Sequence, residues 1–226
     1  MLDICIPIHG ALDYLRRCIT SIMEHTDNFR LILLDDYTNR PEMTEYLLEI
    51  QHILPTTIVM HTEKQQWFTR ASNRALAQVT SEFAILLNSD CEVGPFWTKE
   101  LFDTWRNFEK AAPHKRLGLV GSVHSPGCQY PFIETQEPNY VTGHCWLLKM
   151  SIMAEMAERR GWPGKYLDES RDDCIHINSD RLFCYELNRA GYSTVISNWS
   201  HVAHAGGKSW NYDMGKMPSR ISDLER

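Results

Sequence analysis

The chain has 226 residues, 43% hydrophobic and 23% charged, which is long enough to bury a full core and excludes a membrane-embedded enzyme. No apolar run approaches the ~20 residues that cross a bilayer, and Met1 to Pro7 lacks the basic region and longer apolar stretch of a secretory signal, so a cytoplasmic protein is expected. The 23 basic and 29 acidic residues give a net charge of −6, which weighs against a chain whose main affinity is for nucleic-acid phosphates; seven cysteines without a C-x-x-C pair point to reduced thiols.

Residues 3–8 are short, apolar and followed by His9-Gly10, as in a buried strand. Leu12, Leu15, Ile19, Ile22 and Met23 then recur at spacings of three and four, predicting a helix over about 11–25. Residues 31–34 form a second buried strand running into Asp35-Asp36, and Pro41 sits where the next helix begins. A third strand over 57–61, a helix carrying Phe68, Ala71, Ala75, Leu76 and Val79, and a fourth strand over 83–87 complete the first half. This alternation argues for a parallel, three-layer α/β sheet.

The second half departs from that rhythm. A helix over 96–109 with Phe96, Leu101, Phe102, Trp105 and Phe108 precedes a strand over 117–123. Pro126, Gly127, Pro131 and Pro138 make 124–140 a long loop; 140–149 reads as a strand, 151–160 as a helix, 161–177 as a polar loop, and 178–190 as a helix closed by Gly191. The tail from Ala205 to Arg226 has little apolar content and is expected to order only with ligand.

Ligands of open α/β sheets bind beyond the carboxyl ends of the strands. Those ends deliver Pro7 and His9, Asp35 and Asp36, and Asn88, Ser89 and Asp90 to one rim. Each aspartate has a plainer alternative: Asp35 and Asp36 as caps of the following helix, Asp90 as a cap of the helix near Pro95.

The order of segments resembles family 2 glycosyltransferases with the GT-A fold. The first half matches through Ile4-Cys5-Ile6-Pro7-Ile8-His9, Leu33-Leu34-Asp35-Asp36, Trp67 to Leu76 with Arg70 and Asn73-Arg74, and Leu86-Leu87-Asn88-Ser89-Asp90. The second half, through Thr142-Gly143, Leu147-Leu148, Leu167-Asp168-Glu169, Ser179-Asp180 and His204-x-Gly206-Gly207-x-Ser209, looks most like rhamnosyltransferase-like members. The resemblance implies a single α/β three-layer GT-A domain with a mostly parallel central sheet, its nucleotide-sugar half over 1–92 and its acceptor half over 93–226.

It also implies roles. Asn88-Ser89-Asp90 stands where the family has its D-x-D motif, so Asp90 would bind a divalent ion, Mn2+ or Mg2+, on the donor diphosphate; Asn88 departs from the fuller acidic pattern. His204 would complete the metal site, with His201 the weaker candidate, and imidazole favours manganese. Asp36 would accept from the base or ribose, His9 would stack on the base, and Arg70 would answer phosphate charge, with Pro7, Asn73, Asn88 and Ser89 completing the nucleotide-sugar set. A solvated surface role is the alternative for Arg70.

Asp180 would be the base that deprotonates the acceptor, with Ser179 replacing the family's glutamate; the alternative is a helix cap, and Asp168-Glu169 and Asp172-Asp173 are competing carboxylates. Cys174, His176 and Cys184 are poorly spaced for zinc. Trp146, Trp162, Trp199 and Trp210 are candidates for stacking on an acceptor or for core packing. The function expected is inverting, metal-dependent transfer from a nucleoside-diphosphate sugar to a hydroxyl acceptor: a glycan, a protein or a modified nucleobase, nucleic acid entering only as acceptor. A nucleotidyltransferase and a non-catalytic nucleotide-sugar-binding module are the alternatives.

Overall fold

Leu2–Ile8 (β1) is buried on both faces, as the apolar run from Ile4 to Ile8 requires, and it lies inside a sheet rather than at an edge. The computed structural model describes residues 1–123, 132–135, 140–169 and 179–206. In chain order the further elements are Leu12–His25 (α1), Phe29–Asp35 (β2), Pro41–Ile53 (α2), Ile58–His61 (β3), Trp67–Leu76 (α3), Phe83–Leu87 (β4), Cys91–Val93 (β5), Trp97–Ala111 (α4), Arg116–Val123 (β6), Phe132–Thr135 (β7), Cys145–Lys149 (β8), Met150–Arg159 (α5), Ser179–Arg189 (α6) and Tyr192–His204 (β9).

The strands form one sheet in the order β3-β2-β1-β4-β8-β6-β9-β5, with β7 paired to β9. β3, β2, β1 and β4 run parallel, as the βαβ rhythm of the first half predicts, and β6 is parallel to β9. β8 enters between β4 and β6 antiparallel to both, and β5 and β7 are antiparallel to β9. The sheet is therefore mixed in its second half. Pro7 is tolerated within β1 because the β1–β4 ladder ends at Cys5–Leu86, so its missing N–H leaves no β4 partner unpaired.

Successive residues of each strand feed opposite layers. Ile4, Ile6, Ile8, Leu31 and Leu33 pack with Leu15, Ile19 and Ile22 of α1, Met43 and Leu47 of α2, and Trp97, Leu101 and Phe108 of α4. Cys5, Ile32 and Leu34 face Ala71 and Ala75 of α3, Met153 and Met156 of α5, and Phe183 and Leu187 of α6. This is the three-layer arrangement expected from the strand–helix alternation.

Several local expectations change. The stretch 124–140 contains β7 over 132–135; residues 124–131 and 136–139 lie outside the described residues. The strand expected over 140–149 begins only at Cys145, because Gly143 and His144 form a turn bonded to other elements. Met23 and Phe96 are exposed, Phe96 at the left-handed residue before α4 rather than on its apolar face. Trp146 is fully buried and packs on Phe183, so it belongs to the core. Trp162 and Trp199 are exposed, and Trp210 lies outside the described residues.

Candidate functional site

The parallel directions of β1, β2 and β4 bring Ile8, Asp35 and Leu87 to one rim, and antiparallel β8 begins at that same rim, with Cys145 opposite Leu87. The connections at this rim frame a cleft of about 140 Å³ lined by Pro7, His9, Asp36, Asn88, Ser89, Asp90 and His204, with Gln65, Trp67, Phe68 and Ala71 forming its wall. Seven of the sequence-predicted residues thus meet in one place. Arg70, Asn73 and Asp180 do not line it.

Asp36 is bound to the start of α3. Its Oδ1 accepts from Thr62 Oγ1 at 3.0 Å and from the Gln66 N–H at 2.6 Å, and its Oδ2 accepts from the Trp67 N–H at 2.7 Å. It does cap a helix, though not the one that follows it in sequence. Burial pushes its carboxyl above the ordinary value, with the Gln66, Thr62 and Trp67 bonds pulling the other way. Asp35 instead closes its own turn, accepting from the Thr38 N–H at 3.1 Å, and lies 3.2 Å from His61 Nδ1.

His9 is fixed by two bonds. Its Nδ1–H donates to the Asp36 carbonyl at 2.8 Å, and Gln65 Nε2 donates to its Nε2 at 3.2 Å, which selects the tautomer and orients the ring beside the cleft.

At the other end of the cleft the β5–β9 ladder pairs Cys91 with His204, and the Ala205 N–H donates to the Asp90 carbonyl at 3.0 Å. A side chain from residue 204 is thereby set beside the end of β4. His204 Nε2 lies 3.1 Å from Asp90 Oδ1 and 3.3 Å from Asn88 Nδ2. The N-cap residue of α4 is Phe96, and β5 separates Asp90 from that helix. His201, three residues earlier, points to the other face of β9, is exposed, and gives its carbonyl to the Gly94 N–H.

These donors fit a divalent cation. In the tautomer with its proton on Nδ1, the His204 Nε2 lone pair and the Asp90 carboxylate are two acceptors facing each other, a pair that a cation between them reconciles; in the other tautomer Nε2–H donates to Asp90 Oδ1. Ligands about 2.1 Å from one ion and at right angles stand about 3.0 Å apart, close to the observed separation. Asn88 Oδ1 is buried without a hydrogen-bond partner, a second acceptor left unsatisfied at the same place. Among the described residues, the group with metal-ligand spacing is Asp90, Cys91 and His204, within 4.8 Å of one another. The Cys91 thiol is raised well above its ordinary value by burial and donates to the His144 carbonyl at 3.4 Å.

Asp180 lies in the first turn of α6, where its Oδ1 accepts from the Arg181 N–H at 2.8 Å and its Oδ2 from the Gly143 N–H at 3.1 Å. Burial raises its carboxyl above the ordinary value against the pull of those N–H groups. Asn73 has its amide committed elsewhere: Nδ2 donates to the Leu167 carbonyl at 2.9 Å and to Glu169 Oε1 at 2.8 Å, and Oδ1 accepts from the Leu167 N–H at 2.7 Å. Arg70 Nε is 4.0 Å from Glu169 Oε2. Both therefore tie the 167–169 segment to α3 beside the cleft wall. Asp172, Asp173, Cys174, His176, Gly207 and Ser209 lie outside the described residues, as does the tail after Gly206.

Sequence reasoning missed Gln65 and Trp67 as cleft residues, the strands β5 and β9, and His144. The burial alternation from Asn198 to Val202 is the period-two signal that marks β9, and it was hidden by polar inward residues such as Asn198 and Ser200.

A family model described as glycosyl transferase family 2 matches residues 3–118. Among solved structures, the chain is similar to TarS of S. aureus, with 14% identity and a TM-score of 0.61, over 92% of this chain and 61% of that one. It is also similar to GalNAc-T7, solved with UDP, GalNAc and Mn2+, with 13% identity and a TM-score of 0.68, over 90% of this chain and 43% of that one. The chain thus spans about three fifths and less than half of the lengths of these two proteins, and the likeness identifies its fold as GT-A. No curated protein sequence matches it significantly.

Proposed function

The chain belongs to glycosyl transferase family 2, and from that premise we propose that it moves a sugar from a nucleoside-diphosphate donor to a hydroxyl acceptor with inversion, in a metal-dependent reaction. The observation that carries this reading is the approach of His204 to Asp90 at 3.1 Å, across 114 positions of sequence, at the end of a cleft whose other end holds Asp36 and His9. GalNAc-T7, a protein of the same fold, was solved with UDP and Mn2+.

Asp90 and His204 would hold Mn2+ or Mg2+, with Asn88 Oδ1 adjacent. Such a cation supplies Lewis-acid stabilisation of the charge on a departing nucleoside diphosphate. The rest is the work of the chain. Asp36, with His9 and the Trp67 wall, receives the base and ribose at the opposite end of the cleft. Asp180 accepts the proton of the acceptor hydroxyl as the new bond forms, and the burial that raises its affinity for a proton makes it a stronger base than a solvated carboxylate. Asn73 and Arg70 support the donor side through Glu169 rather than by meeting phosphate from within the cleft. Inverting displacement needs its base and its leaving group on opposite faces of the sugar.

No helix among the described residues is long and apolar enough to cross a membrane. Cys5, Cys18, Cys91, Cys145 and Cys184 are all buried free thiols, which supports a reducing compartment, and we place the protein in the cytoplasm. The acceptor is a hydroxyl of a glycan, a protein or a modified nucleobase.

The test is a panel of nucleotide sugars with Mn2+, read by thermal shift and by chromatography of the nucleotide product. The expected result is one donor that raises the melting temperature and yields a nucleoside diphosphate. Release of pyrophosphate from a nucleoside triphosphate would identify a nucleotidyltransferase instead. Donor binding without turnover across a broad acceptor set would identify a binding module, for which Asn88 and Ser179 are the departures from the family pattern.

A further inference from the structure

The His144 ring stacks on that of His204, with centroids 5.2 Å apart and planes inclined by 13°. It is 4% exposed and fixed at both nitrogens, Nε2 lying 2.9 Å from Ser122 Oγ on β6 and Nδ1 lying 2.8 Å from Thr142 Oγ1. Its carbonyl accepts from the Asn88 N–H at 2.9 Å and from Cys91 Sγ at 3.4 Å. One residue therefore touches both sequence-distant arms of the candidate metal centre, holding the β4 end through its main chain and the β9 histidine through its ring.

The geometry points to His144 as a positioning residue that presents His204 to the cation and fixes its ring plane, without itself ligating. The flat, buried ring supplies the surface on which His204 stacks, and the Ser122 and Thr142 hydroxyls satisfy its two edge nitrogens. The orientation matters because a ligand nitrogen acts along one direction in the ring plane, and partners that fix that plane change metal affinity by about 10- to 100-fold. This inference rests on the metal reading above, and its test separates the two.

The experiment uses the full chain with 13C-labelled histidine, the His204 ring signals being assigned by their loss in His204→Gln. Stacking should shift those signals upfield in the wild type. They should move towards unstacked positions in His144→Ala and His144→Gln and stay shifted in His144→Phe, which keeps a flat ring but neither nitrogen. A parallel Mn2+ titration followed by electron paramagnetic resonance should show ~10-fold or greater weakening in the alanine and glutamine variants and a much smaller change in the phenylalanine variant. A residue that only satisfies Ser122 and Thr142 predicts the reverse order, glutamine tolerated better than phenylalanine, and that result would overturn the proposal. So would folded His144→Ala with unchanged His204 signals and Mn2+ affinity. If the wild type takes up no Mn2+ while the ring signals still respond as described, His144 positions His204 and the metal reading is the one that falls.

Discussion

The Gly143 N–H donates to Asp180 Oδ2 at 3.1 Å, and a Cβ at position 143 would stand 3.1 Å from Asp180 Cβ and 3.6 Å from its Oδ2. The carboxylate is held by a backbone against which even a methyl group is tight. Gly143 also precedes the histidine that stacks on His204, so the turn 143–144 serves both the candidate base and the candidate metal centre. Gly143→Ala should therefore displace Asp180 by a few tenths of an ångström. The expected result is a fall in kcat with donor affinity nearly unchanged, and a stability loss of about 1–3 kcal/mol from overpacking. A variant with wild-type kcat would show that the contact is incidental to turnover.

Asp180→Asn keeps the shape and one acceptor oxygen while removing basicity. Folding and donor binding should survive, and the single-turnover rate should fall by a factor on the order of 10² to 10⁴. The pH profile adds a second reading. A base must be unprotonated to act, and burial holds this carboxyl above 3.8, so the acid limb of the wild-type rate should lie above the ordinary aspartate range. That limb should disappear from the residual rate of the asparagine variant. If it persists, another group titrates.

Asp90→Ala removes the carboxylate that faces His204 across 3.1 Å. We expect loss of transfer and of the Mn2+-dependent rise in melting temperature, and chelator should have the same effect on the wild type. His204→Ala should weaken Mn2+ binding with a smaller effect on metal-free stability, because its ring is partly exposed while Asp90 is buried. Full activity of the wild type in chelator would end the metal-dependent reading.

How much of this was legible in the sequence differs between the halves. Strands β1, β2 and β4 carry apolar runs (4–8, 31–34 and 83–87) followed by polar residues, so their rim residues His9, Asp36 and Asn88 to Asp90 could be placed from the sequence. Local pattern is sufficient there because parallel strands set their ends side by side. His204 could be named only through the family motif. Its approach to Asp90 depends on β5 and β9, one too short and the other too polar inside for periodicity to reveal. His144 gave no signal at all, since a buried histidine bonded to two hydroxyls has the same local sequence as a surface turn. Asn73 shows the opposite failure: a polar residue on a cleft-side helix looks like a ligand-binding group, yet Leu167 and Glu169 take its amide.

Asp36 joins the end of β2 to the first turn of α3, which supplies Trp67 and Phe68 to the cleft wall. In Asp36→Asn the two oxygens become one oxygen and one NH2 group, which cannot accept from both the Gln66 and Trp67 N–H groups. One buried donor is then left unpaired, a cost of about 1–3 kcal/mol. Because the wall moves with it, donor affinity should fall as well. Calorimetric titration of the nucleoside diphosphate, paired with a denaturation curve, checks both. Wild-type donor affinity in a measurably destabilised variant would confine Asp36 to a structural role.

Asp3, at the far end of β1 from the cleft, separates stability from function. It is 1% exposed and receives both arms of Arg30, Nε at 2.7 Å and Nη2 at 2.8 Å, together with the Thr80 and Ser81 N–H groups. Burial alone would raise its carboxyl, but Arg30 and the N–H bonds outweigh it and hold the group below its ordinary 3.8. A folded value below the unfolded one gives stability that is present above pH 3.8 and is lost as pH falls through the folded value. Asp3→Asn leaves the Arg30 guanidinium largely buried without its carboxylate, which should cost on the order of 3 kcal/mol near pH 7. The gap between wild type and variant should stay constant from pH 5 to 8, within the precision of about 0.5 kcal/mol expected of independent sites, and narrow below about pH 4. Denaturation curves across that range measure it. Donor affinity of the folded variant should match the wild type, since five residues of strand at ~3.3 Å each separate Asp3 from the rim. A gap that does not narrow in acid would mean that the ion pair contributes through packing rather than charge.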